Sequence, residues 1–272
     1  MTGTGWVYAT VLVISALCML VVDRRWRLAL FRAPLPTALT IASCVAVLLL
    51  WDLAGIRLGL FIRGAGPWQS GLQLAHELPV EELLFLTFLS HLTLVIDAGL
   101  SRLRALGGAF SRAVGLLPTL GVLVLLPLLL VSTARHDGNA SMTYLLLDAA
   151  FLVPLLLLAA LWGGGVGRRP WDSSTRATLA VLALLTALFD SLLIAFGIID
   201  YDWSLTSGVR VGLAPVEDFA YVLATATLAP VVLRRLGGAG AATARSTRSS
   251  SPRLAADQDQ RPVIPADTEE TP

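Results

Sequence analysis

The stretch Glu77-Leu78-Pro79-Val80-Glu81-Glu82-Leu83-Leu84-Phe85 decides the fold, because it places two adjacent carboxylates on the first turn of a long apolar run. A similar stretch, Leu213-Ala214-Pro215-Val216-Glu217-Asp218-Phe219-Ala220-Tyr221, stands near the other end of the chain. Both copies contain proline, one further residue, an acidic pair, and an aromatic residue four positions after the first acid. Acidic side chains in apolar segments are costly, so their repetition at matching places indicates a functional role.

The composition around these motifs is that of a membrane protein. Of the 272 residues, 56% are hydrophobic and 14% are charged, against about 25% charged in soluble domains. The net charge of +1 implies no attraction to nucleic acid. Several apolar runs approach the roughly 20 residues that span a bilayer. The sequence predicts an all-α integral membrane protein with seven transmembrane helices, at about 6–22, 37–56, 78–96, 113–133, 143–162, 177–197 and 213–233.

An internal repeat extends beyond the acidic pairs. Trp51-Asp52, late in the second apolar run, matches Phe189-Asp190 in the sixth. Helices 1–3 therefore correspond to helices 5–7, and a shift of four helices preserves direction across the membrane, as in parallel repeats. We expect a first repeat over 1–100, a connector helix over 101–140 and a second repeat over 141–236. The polar composition of 237–272 predicts a disordered cytosolic tail.

The distribution of arginine predicts the orientation. Arginines are concentrated after helices 1, 3, 5 and 7 and are sparse on the other side. The positive-inside rule then predicts a multi-pass protein of the cell membrane, with its N-terminus outside and its C-terminus cytoplasmic. The first apolar run has no basic residue before it, so we interpret it as a retained helix rather than a signal peptide.

The acids of both repeats are expected at one level in the outer half of the membrane. A proline and acids in the first turn also form an ordinary helix start, which would explain a single copy. Duplication, with an intramembrane aspartate in each repeat, favours a functional site. Close carboxylates in apolar surroundings cannot all ionise, so one pocket would hold a general acid and a general base. The candidate catalytic residues are Glu81, Glu82, Glu217, Asp218, Asp52 and Asp190, with Asp148 at a similar depth.

Aromatic residues flank these acids and can stabilise a cation with their faces. Taken singly, each aromatic residue is better explained by core packing or by a position in an interfacial belt. Together with the acids they suit protonation of an alkene, cyclisation through a carbocation, and proton loss. The sequence has no histidine set for iron and no Asp-Asp-x-x-Asp cluster, so no metal, cofactor or redox change is expected. The candidate substrate-binding residues are Trp51, Phe85, Phe88, Phe189, Tyr221 and Trp203.

With these motifs, the chain resembles the small integral-membrane lycopene cyclases of bacteria and fungi, over about residues 6–236. That family has two homologous halves of about three helices, which are separate subunits in many bacteria. The resemblance rests on Trp51-Asp52 with Pro79-Val80-Glu81-Glu82 and Phe85 in the first half. In the second half it rests on Phe189-Asp190, the turn Asp200-Tyr201-Asp202-Trp203, and Pro215-Val216-Glu217-Asp218.

The resemblance implies cyclisation of the linear ends of lycopene or a related carotenoid without redox change. It implies that Glu81, Glu82, Glu217 and Asp218 supply the acid and the base. The second motif departs from the family pattern at Asp218, where glutamate is usual, and at Ala220-Tyr221, where aromatics are usual. The second half is therefore either less active or adapted to another ring type or substrate, and a longer C(50) carotenoid remains open.

Two other functions fit the same layout. A SWEET-type or proton-coupled transporter also has three helices, a connector and three more, but carries a Pro-Gln pair instead of the acidic motif. A non-catalytic protein that binds carotenoid would keep the pocket without needing paired acids. The expected partners are an apolar carotenoid from the bilayer and membrane lipid, together with a second copy of the chain or other enzymes of the carotenoid pathway.

Overall fold

The computed structural model describes residues 5–63, 67–75, 78–133, 141–163 and 172–249. Within them lie seven helices that are each long and apolar enough to cross a membrane, which confirms the predicted all-α membrane fold. A short 3-10 turn, Val216–Asp218, leads into the last helix. The helices are α1 Val7–Trp26, α2 Pro34–Arg57, α3 Val80–Ala105, α4 Gly108–Thr133, α5 Thr143–Gly163, α6 Ser173–Ala195 and α7 Phe219–Ser249.

Several helices run past the apolar segments that predict them. α1 and α3 continue through arginines, because arginine forms helices nearly as well as leucine and because a helix need not end at the bilayer edge. α7 continues to Ser249, so the structure differs from the predicted disordered tail over 237–249. Alanine recurs in that segment and is the strongest helix former. The remainder of the predicted tail, 250–272, lies outside the described residues.

α7 is the central helix of the bundle and α4 is the peripheral one. In the membrane-spanning part of α7, 72% of the residues are buried, and the helix contacts α2, α3, α5 and α6. In α4 only 11% are buried, and the helix packs mainly against α6. Gly121 allows this close approach, since a Cβ at that position would stand 3.1 Å from the Cβ of Ala180. This peripheral position suits the predicted connector, whose boundaries stay a prediction.

Short strands cover one end of the bundle, which we call the strand end; the opposite end, where α1 and α3 finish in arginines, is the arginine end. The sequence analysis did not predict these strands, because each has only two or three residues. β2 pairs with β3 and β5 pairs with β6, so that each hairpin delivers the proline of one acidic motif. The strands are β1 Phe61–Arg63, β2 Gln73–Ala75, β3 Leu78–Pro79, β4 Ile199–Tyr201, β5 Arg210–Val211 and β6 Ala214–Pro215.

The contacts at the strand end match between the two halves of the chain. The Val80 N–H donates to the Leu72 carbonyl at 3.0 Å, and the Val216 N–H donates to the Val209 carbonyl at 2.9 Å. β1 of the first half pairs antiparallel with β4 of the second, with Phe61 opposite Tyr201. Two parallel repeats related by an axis along the membrane normal would pair equivalent strands in this way. These contacts support the repeat interpretation, which stays a prediction.

Candidate active site

A cavity of about 560 Å³ opens at the strand end, lined by residues of α1, α2, α3, α5, α6, α7 and the hairpins. Its volume is ordinary for a small-molecule site, which typically measures roughly 300–1,000 Å³. Carboxylates from α2, α3, α6, β4 and the turn before α7 line it, the one from β4 being Asp200. Apolar residues such as Leu89, Leu193 and Val222 form much of the remaining wall. The predicted acids on this cavity are Asp52, Glu82, Asp190 and Asp218.

The two acids of each motif have different surroundings. Glu82 and Asp218 line the cavity. Glu81 and Glu217 are each 1% exposed and lie outside the cavity lining. The Ser70 N–H donates to Glu81 Oε1 at 2.8 Å, and the Ser207 N–H donates to Glu217 Oε1 at 2.6 Å. In both copies, then, the first acid accepts a hydrogen bond from the loop that precedes its hairpin, and the second acid lines the cavity.

Tyrosine hydroxyls hold two of the cavity carboxylates. Tyr144 donates to Asp218 Oδ1 at 2.8 Å, and Tyr201 donates to Asp218 Oδ2 at 2.7 Å. Tyr221 donates to Asp52 Oδ1 at 2.5 Å. Such distances are those of strong bonds from a hydroxyl to a carboxylate. Because Asp52 belongs to the first half and Tyr221 to the second, the site is assembled across both halves.

Glu82 and Asp190 differ from these two held carboxylates. Among the residues that the structure describes, no tyrosine hydroxyl donates to either of them, whereas three tyrosines donate to Asp52 and Asp218. Both carboxyl groups nevertheless belong to the cavity lining. The cavity therefore combines acids fixed by tyrosines with acids that remain available to a bound molecule.

Tyr201 is a stable hydrogen-bond donor. It lies in β4, outside the membrane-spanning helices, and its ring is buried. Burial, followed by the neighbouring Asp218 carboxylate, raises the pKa of the Tyr201 phenol well above its usual value. The hydroxyl consequently keeps its proton across the physiological range and continues to donate to Asp218.

The predicted aromatic residues are divided between the cavity wall and other positions. Phe85 and Tyr221 line the cavity. Trp51 is fully buried behind it, with its ring stacked between Phe151 at 5.2 Å and Tyr221 at 4.7 Å. Trp51 therefore supports the ring of Tyr221 and does not contribute to the lining.

The other three predicted aromatics are not part of the cavity lining. Phe88 packs in a neighbouring core cluster. Trp203 packs on Tyr201 and carries the Arg210 guanidinium 3.6 Å above its ring. Phe189 is 53% exposed on the outer face of α6. Neighbouring residues on a helix point about 100° apart. Phe189 can therefore point outward from α6 while the adjacent Asp190 lines the cavity.

Three tyrosines on the cavity were not selected by the sequence analysis. They are Tyr8 in α1, Tyr144 in α5 and Tyr201 in β4. A signal existed for two of them, because Tyr8 and Tyr144 have the same spacing as Pro79 and Pro215. Applying the repeat offset to every residue would have found this pair. Tyr201 stood in a turn that carries the family resemblance, but nothing in the sequence indicated that its hydroxyl reaches Asp218.

The comparisons with known proteins identify the family. Over 98 residues the chain is 51% identical to a Dietzia sp. (strain CQ4) protein that is provisionally named as one component of a C(50) carotenoid beta-cyclase. The match covers 36% of this chain and 79% of that relative. The chain belongs to the carotenoid cyclase family. The predicted resemblance is thereby confirmed, and the seven helices make this cyclase-family protein a multi-pass membrane protein.

A second relative agrees with this family. Over 81 residues the chain is 47% identical to the C(50) beta-cyclic carotenoids biosynthesis protein LbtBC of the same strain. That match covers 30% of this chain and only 19% of the relative. No family model matches the chain. No solved structure matches it either.

Proposed function

We propose that this protein cyclises the linear ends of an acyclic carotenoid by acid–base catalysis without redox change. The observation that carries the proposal is the single cavity on which Glu82, Asp218, Asp52 and Asp190 converge between aromatic and aliphatic walls. The names of both relatives refer to C(50) carotenoids with β rings. We therefore propose an acyclic C(50) carotenoid as the preferred substrate, β rings as the product and lycopene as a second substrate.

The reaction needs one proton donor and one proton acceptor. Protonation of the terminal double bond leaves a tertiary carbocation, and the next double bond along the chain attacks it to close a six-membered ring. Loss of a proton from the ring carbon beside the new cation restores a double bond. The proton gained equals the proton lost, so the product is an isomer of the substrate and no electrons are exchanged.

The hydrogen bonds distinguish the two roles. Asp218 accepts two tyrosine hydroxyls, and hydrogen bonds of this kind favour the ionised form of a carboxyl group. Asp218 is therefore suited to be the base and to stabilise the nearby cation. Glu82 lines the same cavity and has no such donor among the described residues, so it is suited to carry the proton. This pairing follows the general rule that environment separates an acid from a base in one pocket.

The remaining walls protect the cation. Phe85 and Tyr221 present aromatic rings to the cavity, and a ring face stabilises positive charge. Leu89 and Val222 exclude water, which would otherwise add to the cation and give an alcohol. Glu81 and Glu217 act as positioning residues, because their bonds to the loop amides set the placement of the adjacent acids.

Both copies of the motif line one cavity, and this suggests how a symmetric product forms. One end of the carotenoid is cyclised at a time, and a bicyclic product requires a second binding event with the chain reversed. A monocyclic intermediate is therefore expected during the reaction. We propose that the substrate enters from the bilayer, and that the arginine end faces the cytoplasm as the sequence predicts.

Pigment chromatography tests this proposal. The protein would be expressed in one bacterial strain that accumulates lycopene and in another that accumulates an acyclic C(50) carotenoid, with Glu82→Gln at equal membrane levels as the control. New cyclic carotenoids with the wild-type protein, more in the C(50) strain and none with Glu82→Gln, would support it. Unchanged acyclic pigment in both strains would contradict it, and co-purification of that pigment would then indicate a carotenoid-binding protein.

A further inference from the structure

A second cavity, of about 600 Å³, lies at the arginine end of the bundle and shares no lining residue with the acidic cavity. The segment between α1 and α2, the first turn of α2, the end of α3 and the middle of α7 surround it. Its apolar lining includes Leu28, Leu94 and Leu233. Its charged lining consists of Arg32, Arg102, Arg234 and Asp97.

One wall of this cavity is fixed by a buried carboxylate. Asp23 is 0% exposed and accepts the backbone N–H groups of Leu28, Ala29 and Leu30 at 2.8 to 2.9 Å. The Asp23 carboxylate also lies 3.0 Å from Nε2 of His91. Leu28 and Ala29 line the cavity, so these bonds hold its wall in place before any ligand binds.

The lining of this cavity carries an excess of positive charge. Three arginines and one aspartate line the cavity. Arg102 Nη1 donates to the Trp26 carbonyl at 2.6 Å, which orients this guanidinium at the cavity. A guanidinium has five N–H donors in a fork that fits phosphate oxygens, so this one bond leaves further donors for a ligand.

We propose that this cavity binds the phosphate-bearing headgroup of an anionic membrane lipid. The arginines would contact the phosphate, and an acyl chain would lie along Leu94 and Leu233 towards the bilayer interior. Lipid phosphate fits better than a free anion, because the cavity sits where α2, α3 and α7 approach the end of their membrane spans and combines cationic with apolar walls. Basic pockets between transmembrane helices are a recognised place for such headgroups.

Lipid binding to the purified full-length protein tests this inference. The protein would be placed in phosphatidylcholine nanodiscs with increasing phosphatidylglycerol, and bound lipid and thermal stability would be measured by native mass spectrometry and a melting assay. Phosphatidylglycerol is expected to remain bound and to raise the Tm, whereas added phosphatidylcholine is not. Inorganic phosphate forms a separate arm, and a Tm rise of equal size with phosphate alone would overturn the assignment to a lipid.

Paired variants locate the binding site. Arg32→Gln with Arg234→Gln is expected to weaken phosphatidylglycerol binding about tenfold or more, because the two changes remove charged hydrogen-bond donors from the cavity lining. Arg57→Gln with Arg104→Gln removes the same charge outside the cavity and should leave binding unchanged. Equal weakening by both pairs would contradict the proposal. If the first pair fails to fold, equal binding of the two lipids by the wild-type protein would contradict it. None of these measurements depends on carotenoid conversion.

Discussion

At the residue scale, the central feature is that the two adjacent acids of each motif make different contacts. Glu82 and Asp218 face the cavity, whereas Glu81 and Glu217 bond to loop amides. Sequence spacing places each pair on a first helical turn but cannot say which member faces the cavity. That choice depends on the course of the preceding loop, which brings the Ser70 and Ser207 amides to the first acid.

Replacement of the cavity acids should lower the cyclisation rate without lowering the amount of protein in the membrane. Glu82→Gln and Asp218→Asn are each expected to lower the cyclisation rate by at least about 100-fold, because general acid–base groups contribute roughly 10²–10⁴. Asp202→Asn is the matched control, since the Asp202 side chain lies outside the cavity lining and accepts hydrogen bonds from the nearby Ser204. The measurement is product formation per amount of membrane protein. Near wild-type rates in Glu82→Gln would exclude it as the proton donor.

The tyrosines that hold Asp218 should affect the rate more than substrate binding. Tyr144→Phe and Tyr201→Phe each remove one bond to the carboxylate while keeping the ring. We expect each to lower kcat about tenfold or more, in line with hydrogen bonds to charged groups, and to leave KM nearly unchanged. Steady-state kinetics in nanodiscs would measure both constants. A change confined to KM would show that the tyrosines shape the pocket rather than support the base.

The pH dependence should show no titration of Tyr201 in the ordinary tyrosine range. Its raised pKa means that the phenol keeps its proton above pH 10, the usual tyrosine value. The Tyr201 hydroxyl stops donating to Asp218 only when the pH exceeds its pKa. We therefore expect no fall in rate from the loss of this hydrogen bond up to about pH 10. Rates of the wild type and Tyr201→Phe across pH 8 to 10 would measure this. A fall present in the wild type and absent in the variant would contradict it.

At the element scale, the helices follow from composition and the hairpins do not. Long apolar runs predict all seven transmembrane helices, because the bilayer requires their backbone bonds to be internal, although α3 and α7 continue well past the predicted ends. The strands are only two or three residues long and depend on pairing between distant segments, such as β1 with β4. Sequence periodicity carries no signal at that length. The hairpins, however, place the motif prolines and hence the acids.

The turn of the second hairpin should be sensitive to a single methyl group. Gly212 has a φ of 71°, and a Cβ there would stand 2.6 Å from Ser191 Oγ. Gly212→Ala should therefore shift the hairpin that leads to Asp218, lower the Tm and reduce activity at least about fivefold, since strained backbone costs roughly 1–3 kcal/mol. Gly115→Ala in α4 is the control, because nothing lies within 4 Å of its Cβ position. Equal effects of the two variants would argue against a specific role for this turn.

At the scale of the whole molecule, the site belongs to neither half alone. Tyr221 of the second half bonds to Asp52 of the first, and β1 pairs with β4 across the halves. The sequence motifs pointed to acids that the structure places on one cavity, because the motifs depend on residue type and order. The chemistry that the resemblance implies stays a prediction. The sequence analysis did not select Tyr201, because the contact of its hydroxyl with Asp218 depends on where distant segments of the chain meet. Phe189 lies outside the cavity lining, a placement that sequence order does not reveal.

Division of the chain between α4 and α5 tests this composite site. Neither residues 1–140 nor residues 141–272 should form cyclic pigment alone, because the first piece would lack Asp190 and Asp218 and the second would lack Asp52 and Glu82. Co-expression of both pieces should restore cyclisation, since the connection between α4 and α5 would be the only covalent link removed. Pigment chromatography of the three strains would measure this. Cyclic product from either piece alone would contradict a shared cavity.

The most direct test of acid–base cyclisation is the mass of the product formed in deuterium oxide. The purified protein in nanodiscs would convert an acyclic carotenoid, and mass spectrometry would count solvent deuterium in the product. Our account predicts one deuterium per ring, introduced when the exchanged donor protonates the double bond, and no ring with Glu82→Gln. Ring formation without solvent deuterium, or with a net loss of two hydrogens, would contradict proton-initiated, non-redox cyclisation.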